Sequence, residues 1–196
     1  MKKDTTGRIH FKIVFYGPSP SGKTTSLKWI HENVEGYTKS GFTSVDDPNG
    51  FTLYFDYTTL TSESNVIFDV YTVAGQKRHK HQRNVVLKGT DGIVFVVDSS
   101  RKMMPDNKFA LEELRGYLGS KQLDSELPMV VMLNKRDAPD SVTKKVILSE
   151  LNLEKYPAYE TIATKGIGIK SAFTSLAREI LSKNLHEIDD KQKIAS

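Results

Sequence analysis

The apolar positions of this chain fall into short runs separated by polar, glycine-containing stretches. Residues 9–16 (IHFKIVFY) form an apolar, β-branched run that predicts a strand. Over residues 25–34, Leu27, Ile30 and Val34 recur at helical spacing. Residues 35–49 carry Thr38, Thr43, Ser44, Asp46 and Asp47 among glycines, show neither period, and predict a surface loop. Residues 51–57 (FTLYFDY) alternate, with Phe51, Leu53, Phe55 and Tyr57 on one face and Thr52, Tyr54 and Asp56 on the other. Residues 66–73 form a second β-branched and aromatic run whose only charge is Asp69, and the polar segment 61–65 predicts a hairpin between the two.

The second half alternates more regularly. Residues 91–98 (DGIVFVVD) and 128–133 (PMVVML) are nearly all apolar, as in strands of a parallel sheet buried on both faces. Between them Ala110, Leu111, Leu114, Tyr117 and Leu118 mark an amphipathic helix. Residues 85–87 close a short helix or loop, 141–151 predict a shorter helix, and 157–163 (PAYETIA) a last strand. Ile169, Phe173, Leu176, Ala177, Ile180 and Leu181 define a C-terminal helix, and the polar tail 186–196 is expected to fray. This order predicts a three-layer α/β fold: a mostly parallel six-stranded sheet, one antiparallel edge strand, and helices on both faces. One domain over 1–196 is expected, with its core about 9–183.

Composition narrows the function classes. The 196 residues are 38% hydrophobic and 27% charged, ordinary for a soluble globule. No apolar run approaches the length of a membrane span, and the N-terminus lacks the apolar stretch of a signal peptide, so a cytoplasmic location is expected. With no cysteine there is no disulfide, no thiolate metal site and no prenylation or palmitoylation, and Lys2 rules out N-myristoylation. The net charge of +4 arises from 28 basic and 24 acidic residues mixed along the chain. The basic cluster at residues 77–83 (KRHKHQR) reads first as a switch segment facing an acidic protein; peripheral contact with an anionic membrane is the alternative, and with no nucleic-acid fingerprint no nucleic-acid partner is expected.

Residues 17–24 (GPSPSGKT) fit G-x-x-x-x-G-K-[ST], the P-loop for nucleotide phosphates. Gly17 and Gly22 let the backbone turn tightly around an anion, and successive N–H groups make an anion nest. Lys23 supplies a point charge to the outer phosphates, and Thr24 offers a hydroxyl to the accompanying magnesium ion. The following helix aims its positive end at the same site. The expected phosphate-contacting set is Gly17, Ser19, Pro20, Ser21, Gly22, Lys23, Thr24 and Thr25. The required context, strand, glycine-rich turn and helix, is present.

A second box, Asn134-Lys135-Arg136-Asp137, follows the 128–133 strand. A carboxylate at Asp137 can accept from the ring N–H and exocyclic amine of guanine together, a donor pair adenine lacks; the contact is worth about 2–4 kcal/mol. Asn134 would brace neighbouring loops and the stem of Lys135 would cover the base.

With these motifs the chain resembles the Ras superfamily of small GTPases over roughly residues 9–183. Several stretches, among them YTVAGQ, LKGTDGIVFVVDS and NKRDAPD, look like the MglA-type branch, prokaryotic Ras-like regulators of polarity and motility, and are similar to archaeal Ras-like proteins that share these features. The resemblance implies binding of GTP and GDP with magnesium, slow hydrolysis, two switch segments, a roadblock-fold activator and an effector at the switch surface; a monomer is expected. It implies that the loop Ala163-Thr164-Lys165 offers a backbone N–H to the guanine carbonyl. It further gives Thr52 to magnesium and the γ-phosphate, Gln76 to the attacking water, Gly75 to the γ-phosphate through its N–H, and Asp56 to the magnesium environment. Lys23, Thr52 and Gln76 are the expected catalytic set, and Thr24, Thr52 and Asp56 the metal set.

Two positions depart from the family pattern. Thr72 stands where most Ras-like proteins carry a magnesium-side aspartate, a loss the MglA type shares, and Asp56 is the candidate substitute. Phe51 stands where MglA-type proteins carry an internal arginine finger, worth about 10³–10⁵ in rate. A partner, or Arg78 or Arg83 beside the switch, would have to supply that cation. Two other readings stay open: a guanine-nucleotide-binding scaffold that barely hydrolyses, and a metabolic P-loop kinase, which NKRD fits poorly.

Overall fold

The structure, a computed structural model, describes residues 2–194 apart from 47–51, 64–65, 76–79, 120–122 and 124–125. In chain order the elements are β1 (Lys2–Lys3), β2 (Ile9–Tyr16), α1 (Lys23–Asn33), β3 (Tyr37–Lys39), β4 (Thr43–Asp46), β5 (Thr52–Ser62) and β6 (Val66–Thr72). There follow α2 (Lys80–Leu87), β7 (Gly92–Asp98), α3 (Met104–Leu118), β8 (Met129–Asn134), α4 (Lys144–Leu151), β9 (Ala158–Glu160) and α5 (Ile169–Ile194). The sheet runs β3-β5-β6-β2-β7-β8-β9, with β1 added to β2 and β4 to β5. Strands β6, β2, β7, β8 and β9 are mutually parallel, and β5 is antiparallel to β6.

Every residue of β7 and β8 is buried, because helices cover the sheet on both sides. On one face Phe11, Ile13 and Phe15 of β2 pack with Leu27 and Ile30 of α1 and Phe173 and Leu176 of α5. On the other, Val14 and Tyr16 join Phe95, Leu111 and Leu114 of α3 and Ile147 of α4. Truncating a fully buried side chain such as Phe15 to alanine should cost about 3–5 kcal/mol.

The mainly parallel three-layer architecture is as expected, with three short strands added among the described residues. Residues 35–49 are not all loop: β3 and β4 pair antiparallel with β5. Neither segment has an apolar period of its own; each is a strand because β5 offers it a ladder. In β5 the faces are reversed from the simple hydrophobic-in reading. Asp56, Thr58 and Leu60 are buried, whereas Phe55 and Tyr57 are only half-buried, against Tyr71 of β6 at ring distances of 5.7 and 4.6 Å. The polar face is the inner one here because hydroxyls of Thr24, Ser44 and Thr72 satisfy the Asp56 carboxylate. The C-terminal helix does not end near residue 183; α5 continues through Ile194, into the tail expected to fray. Among the described residues no helix is long and apolar enough to cross a membrane.

The carboxyl ends of the five parallel strands all lie at one edge of the sheet. They release residues 17–22, 73–75, 99–100, 135–137 and 161–165, so the predicted motifs meet there.

Candidate functional site

The P-loop leaves β2 at Gly17, with φ of 145°, and enters α1 at Gly22, with φ of 96°. A Cβ on Gly17 would stand 2.2 Å from the Val96 carbonyl oxygen, and one on Gly22 would stand 2.2 Å from Nδ2 of Asn134, so both must be glycine. Lys23 opens α1 with its side chain buried, and its Nζ donates to the carbonyls of Gly17 at 3.0 Å and Pro18 at 2.8 Å. Burial, then the positive charge of Arg83, pushes the Lys23 ammonium down from 10.5 to about 7. A phosphate beside it would reverse that shift by restoring a counter-charge.

Asn134, 2% exposed at the end of β8, ties three loops together. Its Nδ2 donates to the Ser21 carbonyl in the P-loop at 2.8 Å. Its Oδ1 accepts from the Ala163 N–H at 2.9 Å and from Thr161 Oγ1 at 3.2 Å. The Ala163 N–H is thus engaged in positioning the loop. Together Pro20, Gly22, Thr25, Asn134, Lys135, Asp137, Ala163 and Thr164 line a cleft of about 480 Å³. Asp137 is 41% exposed at its rim, in a loose 3.8 Å pair with Lys165. Lys135 adopts a left-handed φ of 62° and its Nζ sits 2.7 Å from Oδ2 of the buried Asp98, which fixes the lysine stem along the cleft.

The proposed metal corner lies on the other side of Thr24. Asp56 is fully buried, and its Oδ2 accepts from Thr24 Oγ1 at 2.6 Å and Thr72 Oγ1 at 2.5 Å. Its Oδ1 accepts from Ser44 Oγ at 2.7 Å, and its own N–H donates to Thr72 Oγ1 at 3.1 Å. Thr72, which stands where an aspartate is usual, therefore orients Asp56 instead of replacing its charge. A hydroxyl and a carboxylate this close are hard oxygen donors of the kind magnesium takes, so the residues present fit that ion. Thr52 begins β5 in register with Asp46, but its side chain lies outside the described residues, as do Gln76, Arg78 and Phe51.

Gly75 follows β6 and packs on the P-loop: a Cβ there would meet the Ser19 nitrogen at 2.6 Å and Lys23 Nζ at 2.7 Å. Arg83 of α2 is not poised as a finger. It is 2% exposed, with Nη1 donating to the Ala74 carbonyl at 2.9 Å and Nη2 paired to Glu113 of α3 at 2.8 Å. Ser44, Asp98 and Glu113 are site residues that sequence reasoning did not single out. Ser44 sat inside an apparent loop, Asp98 closed an apolar strand, and Glu113 is one of several charges on α3, so none carried a local signal.

Sheet order and convergent loops together define a small GTPase. A family model for the ADP-ribosylation factor family matches residues 1–185. The mutual gliding-motility protein MglA of Myxococcus xanthus is 36% identical over 180 residues, covering 89% of this chain and 92% of that protein. ADP-ribosylation factor-like protein 6 of Caenorhabditis elegans is 27% identical over 180 residues, covering 89% and 88%. In fold, the chain is similar to the Arl6 BBS3 small GTPase of Trypanosoma brucei with bound nucleotide analogue GppNp, at a TM-score of 0.65 and 21% identity, covering 88% of this chain and 98% of that one. The chain belongs to the ADP-ribosylation factor family within the Ras-like small GTPases, with an MglA-like sequence. GTP binding and switch regulation are general properties of that family.

Proposed function

We propose that this protein is a slow regulatory GTPase whose nucleotide state controls a partner through two switch segments, 43–52 and 72–83 in the sequence. The observation that carries the reading is Asn134. One buried amide holds the phosphate loop and both base loops in register, with Asp137 at the rim of the resulting cleft.

In this mechanism the P-loop N–H groups and Lys23 hold the phosphates. Lys23 exchanges its two carbonyl acceptors for phosphate oxygens. Gly75 offers its N–H to the γ-phosphate, and Gln76 orients the attacking water. Thr24, Asp56 and Thr52 would hold magnesium, which supplies charge neutralisation between the outer phosphates. Thr72 and Ser44 keep the Asp56 carboxylate aimed at Thr24. Release of the γ-phosphate removes the contacts that order both switch segments. With Phe51 at the finger position and Arg83 engaged by Glu113, unassisted hydrolysis is slow, and an activating protein, of roadblock fold by the MglA-like resemblance, supplies the missing cation.

The test is GTP against ATP binding by wild type and Asp137→Ala, with phosphate release followed in the same samples. Tight GTP binding lost in the variant, with slow release, supports the reading. Equal binding of GTP and ATP, indifferent to Asp137, refutes it. Tight binding with no release even beside candidate activators would replace the switch by a guanine-nucleotide-holding scaffold.

A further inference from the structure

We infer that Arg83, anchored by Glu113, is the positioning residue for the Ala74–Gly75 peptide and thereby sets how strongly the protein prefers a nucleoside triphosphate to a diphosphate. This rests on the guanine-nucleotide reading above and adds to it a residue outside the recognised motifs.

The geometry is a chain of fixed groups. Glu113 accepts from the Tyr16 hydroxyl at 2.6 Å through Oε2, and from Arg83 at 2.8 Å and the Tyr117 hydroxyl at 3.3 Å through Oε1. Tyr16 is the last residue of β2, immediately before the P-loop, so the carboxylate is referenced to the loop that holds the phosphates. Arg83 carries that reference to the switch by donating to the Ala74 carbonyl at 2.9 Å. The Ala74 carbonyl and the Gly75 N–H belong to one planar peptide and point in opposite directions. Pinning the oxygen on the Arg83 side therefore fixes where the N–H points. A donor on that carbonyl also polarises the N–H and strengthens it as a donor in turn.

The destination of that N–H is what makes the contact more than packing. Gly75 lies against Ser19 and Lys23 Nζ, where the outermost phosphate of a triphosphate would sit. A diphosphate does not reach it. The Arg83 side chain also borders a cleft of about 350 Å³, shared with Tyr16, Pro18, Ser19, Gly75 and Glu113, so the ion pair stands at the edge of the site and not within a sealed core. A buried arginine is kept only where its partners are good, and the partners of this one include a carboxylate and a switch carbonyl.

The experiment measures affinity for GDP and for a non-hydrolysable GTP analogue, with magnesium, in full-length wild type, Arg83→Lys and Glu113→Gln, with thermal melts to confirm folding. Lysine keeps the positive charge but cannot reach both acceptors as a fork. Glutamine keeps the shape of Glu113 but removes its charge: its oxygen still accepts from Arg83, now as a weaker neutral partner, while its amide donates to the Tyr16 hydroxyl. The expected result is GDP affinity within about twofold of wild type and analogue affinity lowered about five- to tenfold by Arg83→Lys, in line with one weakened hydrogen bond. Glu113→Gln should act in the same direction, and it carries the test if Arg83→Lys fails to melt cooperatively. Equal losses for both nucleotides, or no loss for either, overturn the positioning role. Wild type that binds neither guanine nucleotide would instead overturn the underlying guanine reading, and shows itself before any variant is made.

Discussion

Asn134→Ala is the sharpest perturbation of the proposed site. The side chain is 2% exposed and makes three hydrogen bonds, to the Ser21 carbonyl, the Ala163 N–H and the Thr161 hydroxyl. Each bond contributes about 1 kcal/mol net, and alanine leaves all three partner groups buried without it, so a loss of about 3 kcal/mol is expected. For a chain of this size that lowers the melting temperature by about 6–12 °C. The same change uncouples the phosphate loop from both base loops, so GDP affinity should fall at least about tenfold, equivalent to 1.4 kcal/mol. Thermal unfolding of the nucleotide-free protein and the GDP dissociation rate are the two readouts. A melting temperature within about 2 °C of wild type, together with unchanged GDP dissociation, would refute the bracing role, because no buried amide with three partners could be removed so cheaply.

Asp137→Ala should erase about two orders of magnitude of preference for GTP over ATP while leaving the melting temperature close to wild type, since the carboxylate is 41% exposed in a loose ion pair; competition binding and a melt check both halves. Lys23 gives a pH signature. Its folded-state value near 7 lies below the unfolded 10.5, so between those limits the unfolded chain binds more protons and stability rises with pH. Nucleotide-free wild type should therefore gain stability from pH 7 to 9 relative to Lys23→Met, and parallel curves for the two proteins would contradict a charged lysine disfavoured by burial. Gly22→Ala should abolish nucleotide binding, because φ of 96° and a 2.2 Å approach to Asn134 Nδ2 leave no room for a methyl group; retained GDP binding by equilibrium dialysis would count against the observed P-loop geometry.

What the sequence determined by itself was everything encoded over short range. The run 9–16, the glycines at 17 and 22 and the period of Leu27 and Ile30 specify strand, turn and helix through local dihedral and burial preferences. The apolar segments that became β7 and β8 announced a parallel sheet because strands covered on both faces are apolar along nearly their whole length, polar only at Asp98 and Asn134 where they open on the site. Asn134 and Asp137 were legible because their chemistry sits in one short box.

What only the tertiary structure decided depends on partners far away in the chain. Residues 37–39 and 43–46 are strands solely because β5 lies beside them, and no period within them could show it. The inner face of β5 is Asp56, Thr58 and Leu60 because hydroxyl donors from Thr24, Ser44 and Thr72 satisfy the carboxylate there, overriding hydrophobicity as the guide to burial. The Arg83–Glu113 pair joins helices whose surfaces each look like ordinary solvated charge. Asn134 reaches Ser21 across 113 positions of chain. Hydrogen bonds of that kind are set by the order in which β2, β7 and β8 stack in the sheet, so they become visible only when the strands are in place.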